Sequence, residues 1–212
     1  MDDTEIAFRI ACDEVEVNEA DQRALFAFQA PLREKDPTTH QHYLHSLRVG
    51  LSGRAIARFT QHEERPVLMA GALHDLGKCQ VCLATLGKTE KWTQKDTEEI
   101  KGHVLNGYRM LRGRFDFTAD TMVRHHVFQL NGYPKRLPKF LHSYSQASQL
   151  LIAEHGRIVA LADVYDALHR VNDKFGEKRA LTGVEIKALM LEHNPDRTKL
   201  VTALYDANIF TV

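Results

Sequence analysis

The chain has 212 residues, and its 28 basic side chains balance its 28 acidic ones, so the formal net charge is zero. This length suits one domain with a sizeable core, and the balanced charge argues against general attraction to nucleic acids or anionic membranes. The acidic N-terminus lacks a signal peptide's basic start, and no apolar run approaches the roughly 20 residues that cross a bilayer. Only three cysteines are present, which indicates a reducing compartment, so we expect a cytoplasmic protein. From the balanced charge and the lack of a long apolar run, we expect no DNA, RNA or membrane partner.

Helical patterns cover almost the whole chain, so the predicted fold class is all-α, a helical bundle. Residues 3–17 suit either a short helix or an extended arm. The other predicted helices cover residues 19–30, 40–61, 63–75, 93–112, 119–126, 145–170, 183–193 and 196–207. Three connections are predicted at residues 33–39, 79–93 and 129–134, and Thr93 with Asp96 forms a predicted N-terminal cap.

The patterns divide the chain into three predicted parts. Residues 1–35 form an N-terminal helical lead or arm, and residues 36–180 form the core that carries the candidate site. Residues 181–212 form C-terminal helices that pack on this core.

The most informative stretch is an apolar run, residues 67–73, that leads directly into His74 and Asp75. A buried carboxylate is costly unless it is paired or bound to a metal. Asp75 has two carboxylate oxygens and could therefore bridge two ions. Gly77 would free the backbone at this point, and Lys78 adds a cation suited to a phosphate.

Histidine is the over-represented residue, since the chain has twelve against roughly five expected from ordinary usage. Helical segments offer possible ligands in apolar settings: His45, His74 with Asp75, His103, His125 with His126, and Asp163. Bundles build metal sites from facing helices, and imidazole with carboxylate suits iron, manganese or zinc. A single histidine is more often a core or surface residue, whereas Asp163 lies inside an apolar run and needs a partner. His42, one turn from His45, is the alternative ligand there.

This ordered set of residues resembles the HD superfamily of metal-dependent phosphohydrolases, and within it the HD-GYP subfamily. The matching stretches are residues 45–49, 70–78, 125–126, 132–134 with 137–138, and 157–168. Members of the subfamily hydrolyse cyclic di-GMP with two or three metal ions, often iron or manganese. The resemblance therefore implies an HD-domain bundle with a metal centre between its helices.

The resemblance also implies a role for each matching residue. One metal would be held by His45, His74, Asp75 and Asp163, and a second by Asp75, His103, His125 and His126. Asp75 and Lys78 would be the catalytic residues, since Lys78 matches a lysine that contacts the substrate phosphate. The implied reaction is in-line attack on phosphorus by a hydroxide that two metals activate. Gln41 stands where three-metal members carry Glu, so two ions are expected, iron or manganese first, with zinc, nickel, cobalt or magnesium as alternatives.

The chain departs from the subfamily after Leu168, where an arginine-bearing segment is usual. Arg170 or Lys174 could replace that arginine, and Tyr133 could either stack on a purine base or shape a turn. The expected function is hydrolysis of a cyclic dinucleotide, with cyclic di-GMP as the first choice. The alternatives are an HD phosphohydrolase for a mononucleotide, or a weakly catalytic nucleotide-binding module whose Gly132-Tyr133-Pro134 loop engages a protein partner.

Overall fold

The structure is a computed structural model that describes residues 2–34, 36–88, 91–140, 142–170 and 180–211. Helices and the turns between them make up this part of the chain, and no strand occurs within it. The predicted all-α fold class is therefore confirmed. Over the same residues, no helix is both long enough and apolar enough to span a lipid bilayer.

The helices follow one another with short connections. In chain order the α-helices are α1 Asp3–Glu14, α2 Glu19–Glu34, α3 Pro37–Phe59, α4 Glu64–Leu73, α5 Leu83–Leu86, α6 Gln94–Leu111, α7 Asp116–Met122, α8 Gln146–Leu168, α9 Gly183–His193 and α10 Thr198–Asp206. Within the described residues, 3₁₀-helices cover Leu76–Gln80 and Pro195–Arg197.

Several boundaries differ from the predicted ones. Helix α2 continues through Pro31 because Leu32, in its last turn, is fully buried in the core. Helix α3 begins at Pro37, since the Asp36 side chain accepts hydrogen bonds from two backbone amides of its first turn and proline suits a first helical position. Helix α7 ends at Met122, so the two histidines predicted at its end lie in the turns that follow it. The predicted loop 79–93 contains the short helix α5, whereas Thr93 caps α6 as predicted.

Helix α4 lies at the centre of the bundle and is packed by α3, α7 and α8. Every residue from Val67 to Leu73 is buried, as expected for a helix that is apolar on all sides. One hydrophobic cluster extends from Phe8 in α1 through α4 to Phe210 near the C-terminus. The end of α4, where His74 and Asp75 follow, therefore lies inside the core.

The N-terminal helices pack against α3 instead of forming an extended arm. Phe8 is fully buried, and Tyr43 of α3 donates a hydrogen bond to Glu5 of α1 at 2.9 Å. The side chain of Gln29 in α2 donates to the carbonyl oxygen of Ala72 in α4. The division of the chain into three parts stays a prediction.

Gly77 brings the 3₁₀-helix Leu76–Gln80 into backbone contact with α6. A Cβ atom at this position would overlap the carbonyl oxygen of His103 and the backbone nitrogen of Gly107. Among the described glycines only Gly113 has a positive φ, so Gly77 provides space and not the backbone freedom that we expected. This close contact sets the distance between Asp75 and His103.

We expect Gly77→Ala to lower the free energy of unfolding by about 1–3 kcal/mol, the usual cost of overpacking. Gly102→Ala is the matched control because its Cβ would meet only the side-chain nitrogen of Asn106, at 4.0 Å. In a helix interior that control should stabilise by about 0.5–1 kcal/mol. Urea denaturation measures both, and equal stability of the two variants would contradict the packing argument.

Helix α8 also contains a buried histidine that is not among the predicted metal ligands. His155 of α8 is 1% exposed, and neither ring nitrogen has a hydrogen-bond partner. Its ring lies edge-on to His62, with 5.6 Å between centroids. Burial, reinforced by the nearby His62, lowers the pKa of His155 to about 4 and outweighs the opposite effect of Glu154.

Protonation of His155 should therefore destabilise the fold. Between pH 4 and the ordinary histidine value of 6.5, the unfolded chain binds a proton that the folded chain does not, so stability falls as the pH falls. We expect His155→Leu to remove roughly 1–3 kcal/mol of this dependence. The urea midpoints of wild type and His155→Leu at pH 4.5 and pH 7, in the presence of a metal chelator, measure this pH dependence. The control is His169→Ala, because His169 is exposed. An unchanged pH dependence of stability in His155→Leu would contradict this prediction.

Candidate metal centre

The structure brings together all seven side chains that the sequence predicted as metal ligands, at the C-terminal end of α4. They come from five segments: His45 from α3, His74 and Asp75 from the end of α4, His103 from α6, His125 and His126 from the turn after α7, and Asp163 from α8. Six of them are buried, and His126 is half-buried. Three overlapping groups of these residues have ligand atoms within 4.8 Å of one another.

The first cluster consists of His45, His74 and Asp163, with one oxygen of Asp75. Asp163 Oδ1 lies 3.1 Å from His45 Nε2 and 3.6 Å from His74 Nε2. Asp75 Oδ2 lies 3.5 Å and 3.4 Å from the same two nitrogens. Ligands roughly 2.1 Å from one shared ion have this mutual spacing.

The second cluster consists of His103, His125 and His126, with the other oxygen of Asp75. Asp75 Oδ1 lies 3.2 Å from His103 Nε2. His103 Nε2 and His125 Nε2 are 3.4 Å apart, and the rings of His125 and His126 have centroids 4.0 Å apart. The two oxygens of Asp75 thus point into different clusters, which is the arrangement of a bridging carboxylate.

Backbone carbonyls select the tautomer of three histidines. Nδ1 of His74, His103 and His125 lies 2.7, 2.5 and 2.6 Å from the carbonyl oxygens of Gly71, Ile100 and Met122, respectively. A carbonyl oxygen only accepts, so each Nδ1 carries the proton and donates it. Nε2 is then the ring nitrogen directed into the clusters, which is how proteins usually present histidine to a metal.

Several of these ligand atoms lack a hydrogen bond in the folded protein. Nε2 of His45, Nε2 of His74 and Nδ1 of His126 are buried with no partner in hydrogen-bond geometry. Unsatisfied buried polar atoms are rare and call for an explanation. A divalent cation would satisfy them, and the mixed imidazole and carboxylate donors suit iron, manganese or zinc. The residues present therefore fit the metals that the sequence implies.

The charges of the first cluster balance one another. Burial favours the neutral form of Asp75, but His74 and Lys78 outweigh it and hold the pKa of Asp75 well below its usual range. The neighbouring imidazoles of His45 and His74 likewise outweigh burial and hold the pKa of Asp163 well below its usual range. Burial also opposes a charge on His74, but the two carboxylates raise the pKa of His74 to about 10. A cation that binds here must displace the proton of His74.

The second cluster is different because two of its histidines, His125 and His126, are neutral. Burial lowers the pKa of His125 far below its usual range and that of His126 to about 3. Both rings are therefore in the form that ligates metals without first losing a proton.

Lys78 reaches back to the shared carboxylate. Its Nζ lies 2.5 Å from Asp75 Oδ2 and 3.4 Å from His42 Nδ1. Burial and the charge of Lys78 lower the pKa of His42 to about 2, with Arg170 acting in the same direction. His42 is thus neutral and contacts Lys78, and it is part of neither cluster. Arg170 follows α8 on this side of the site, whereas Lys174 lies outside the described residues.

Tyr133 packs on the second cluster. Its ring lies 4.5 Å from the ring of His126 at an interplanar angle of 32°, and its backbone nitrogen donates to the His126 carbonyl at 3.2 Å. Lys101 lies over the same ring, 5.5 Å from its centroid. Gly132 allows the close turn, because a Cβ there would overlap the carbonyl oxygen of Val127. In this structure Tyr133 therefore shapes the turn and supports His126.

Asp166 and Arg48 are site residues to which the sequence alone assigned no role. Asp166 contacts His45 Nδ1 at 2.6 Å, and Arg48 contacts Asp166 at the same distance. Burial alone would raise the pKa of Asp166, but these two hydrogen bonds hold it far below its usual range. A signal was present, since Asp166 lies one helical turn after Asp163 in the same apolar helix, and a second carboxylate on that face needs its own partner.

Known proteins resemble this chain in sequence. A sequence profile of the HD domain family matches residues 43–168. Over 114 residues the chain is 36% identical to the cyclic di-GMP phosphodiesterase response regulator RpfG of Xanthomonas campestris, covering 51% of this chain and 28% of RpfG. Over 133 residues it is 33% identical to the cyclic di-GMP phosphodiesterase PA4108 of Pseudomonas aeruginosa, covering 59% of this chain and 30% of PA4108.

A solved structure shares the fold. The crystal structure of the HD domain of the L. monocytogenes phosphodiesterase PgpH superposes with a TM-score of 0.59 at 16% identity, over 86% of this chain and 95% of that one. The match to each curated relative spans less than a third of that relative's length. Since the family profile covers more than half of the sequence, the chain belongs to the HD domain family.

Proposed function

We propose that this chain is a metal-dependent phosphodiesterase that hydrolyses a cyclic dinucleotide, with cyclic di-GMP as the first candidate. The observation that carries the proposal is the position of Asp75, whose two oxygens face two separate clusters of histidines. Such a pair of sites joined by one carboxylate is typical of two-metal hydrolysis of phosphate esters. The names of RpfG and PA4108 support the choice of cyclic di-GMP.

Each cluster would hold one divalent cation, iron or manganese first. The proposed ligands are His45, His74 and Asp163 for one ion, His103, His125 and His126 for the other, and Asp75 for both. When bound, two such ions lower the pKa of water and offset the negative charge of a phosphodiester. The hydrogen bonds that fix the imidazole rings keep the donor atoms directed inward before any ion arrives.

Lys78 is proposed to bind the phosphate that is cleaved. Its side chain is 14% exposed, so it lies at the edge of the buried clusters and within reach of an incoming anion. A phosphate oxygen can replace the carboxylate of Asp75 as its partner, and the charge of the ammonium then stabilises the phosphoryl group as charge builds up. Arg170 is the second proposed phosphate ligand, on the same side of the site.

The proposed substrate class is tested by hydrolysis under anaerobic conditions. Protein loaded with Fe²⁺ or Mn²⁺ is incubated with cyclic di-GMP, two other cyclic dinucleotides and a set of mononucleotides, and products are separated by chromatography. We expect the linear dinucleotide from cyclic di-GMP and no product in the presence of excess chelator.

Other outcomes point to the two alternatives. Release of phosphate from mononucleotides alone would support an HD phosphohydrolase of a different substrate class. Binding of cyclic di-GMP without any product would support a nucleotide-binding module, for which the fully exposed Leu130 beside the Gly132-Tyr133-Pro134 loop marks a candidate protein contact. Either result overturns the proposed activity.

Substitutions at Asp75 and Lys78 should separate metal binding from catalysis. Asp75→Asn replaces the bridging carboxylate by a poorer ligand, so the metal content should fall from about two ions per chain to one or none. Lys78→Ala keeps every proposed ligand and should retain its metal, while kcat/KM falls by about 100-fold. Elemental analysis of anaerobically purified protein and initial rates measure the two effects. Full metal content in Asp75→Asn would contradict the bridging role.

A further inference from the structure

The carboxylate of Asp166 joins two side chains of α3. Its Oδ2 accepts a hydrogen bond from Nδ1 of His45 at 2.6 Å. Arg48 donates from Nε to Oδ1 at 2.6 Å and from Nη2 to Oδ2 at 3.1 Å. Asp166 is only 8% exposed, and bonds between charged groups in such an environment are stronger than in water.

The contact fixes the ring of His45 on both sides. A carboxylate that is bonded to a guanidinium only accepts, so Nδ1 of His45 must donate to Asp166. The other nitrogen, Nε2, is then directed at Asp163 Oδ1, 3.1 Å away. Asp163 and Asp166 lie one turn apart on α8, and they face His45 and Arg48, which lie one turn apart on α3. One face of α8 thus contributes Asp163, a proposed ligand, and also Asp166, which bonds to the opposite side of the His45 ring.

His45 differs in this respect from His74, His103 and His125. Those three donate from Nδ1 to backbone carbonyls of their own segments, which no substitution removes. The position of His45 depends on a side chain from another helix. A carboxylate behind a metal-bound imidazole also makes the ring a stronger donor to the ion.

We infer that Asp166 is a positioning residue that acts through His45 and sets the affinity of the first cluster for a divalent cation. Arg48 holds the carboxylate of Asp166 in place. The inference rests on the metal centre in the proposed function, and it is independent of which nucleotide is the substrate.

The test measures Mn²⁺ binding and needs no substrate. Full-length protein is stripped of metal and titrated with Mn²⁺ in competition with a fluorescent chelator, for wild type, D166N, H45N and the double variant. We expect D166N to weaken the binding of one ion by about 10–100-fold. In the H45N background the same change should have an effect of less than about twofold, because Asp166 acts through the ring that is already missing.

Asp196→Asn is the matched control. Asp196 also pairs with an arginine, Arg157 of α8, through contacts at 2.7 and 3.0 Å, and this pair does not include a proposed ligand. The Mn²⁺ affinity of this variant should equal that of wild type. If Asp166 only fastened α8 to α3, the D166N variant would bind Mn²⁺ like wild type, or the substitution would weaken Mn²⁺ binding equally in the wild-type and H45N backgrounds. Either result overturns the inference.

If D166N does not fold, a measurement on wild-type protein tests the role of Asp166 instead. In protein loaded with Zn²⁺, NMR should show a slowly exchanging proton on Nδ1 of His45, shifted downfield by the short bond to the carboxylate. Assignment of the metal to Nδ1 would overturn the inference, and so would a failure of wild type to bind Mn²⁺. Wild type that binds Mn²⁺ but hydrolyses no nucleotide would overturn the proposed function alone.

Discussion

The structure depends on keeping the carboxylate of Asp75 charged inside the core. This side chain is 1% exposed, and removing a carboxylate from water costs several kcal/mol unless positive or polar groups replace the water. Lys78 and His74 supply that compensation. The bundle therefore arranges its polar residues around one buried anion, and this arrangement also defines two places for cations.

Rigid backbone features hold that arrangement in place. The last turn of α4 is buried on all sides, and the contact through Gly77 sets the position of α6 against it. Carbonyl oxygens then fix the rings of three histidines. The ring of His45 is bonded instead to a second side chain, Asp166, which the packing of α8 on α3 brings into contact.

The two clusters have different protonation chemistry although they share Asp75. The first holds two charged carboxylates and a histidine whose raised pKa keeps it protonated, whereas His125 and His126 in the second are neutral because of burial. A proton on His74 would therefore compete with a cation in the first cluster. The proposed phosphate ligands, Lys78 and Arg170, belong to neither cluster.

The sequence by itself determined the helical class and the cap at Thr93, because apolar periodicity and capping residues are local signals. The resemblance to the HD superfamily implied the seven candidate ligands. The sequence could not determine that α2 continues past Pro31 or that Gly77 serves as a contact point, since both follow from what packs against them. The contacts of Asp166 and of Tyr133 were also decided by tertiary structure. A carboxylate in an apolar helix indicates that it has a partner, but only the packing of α8 on α3 decides that the partner is His45.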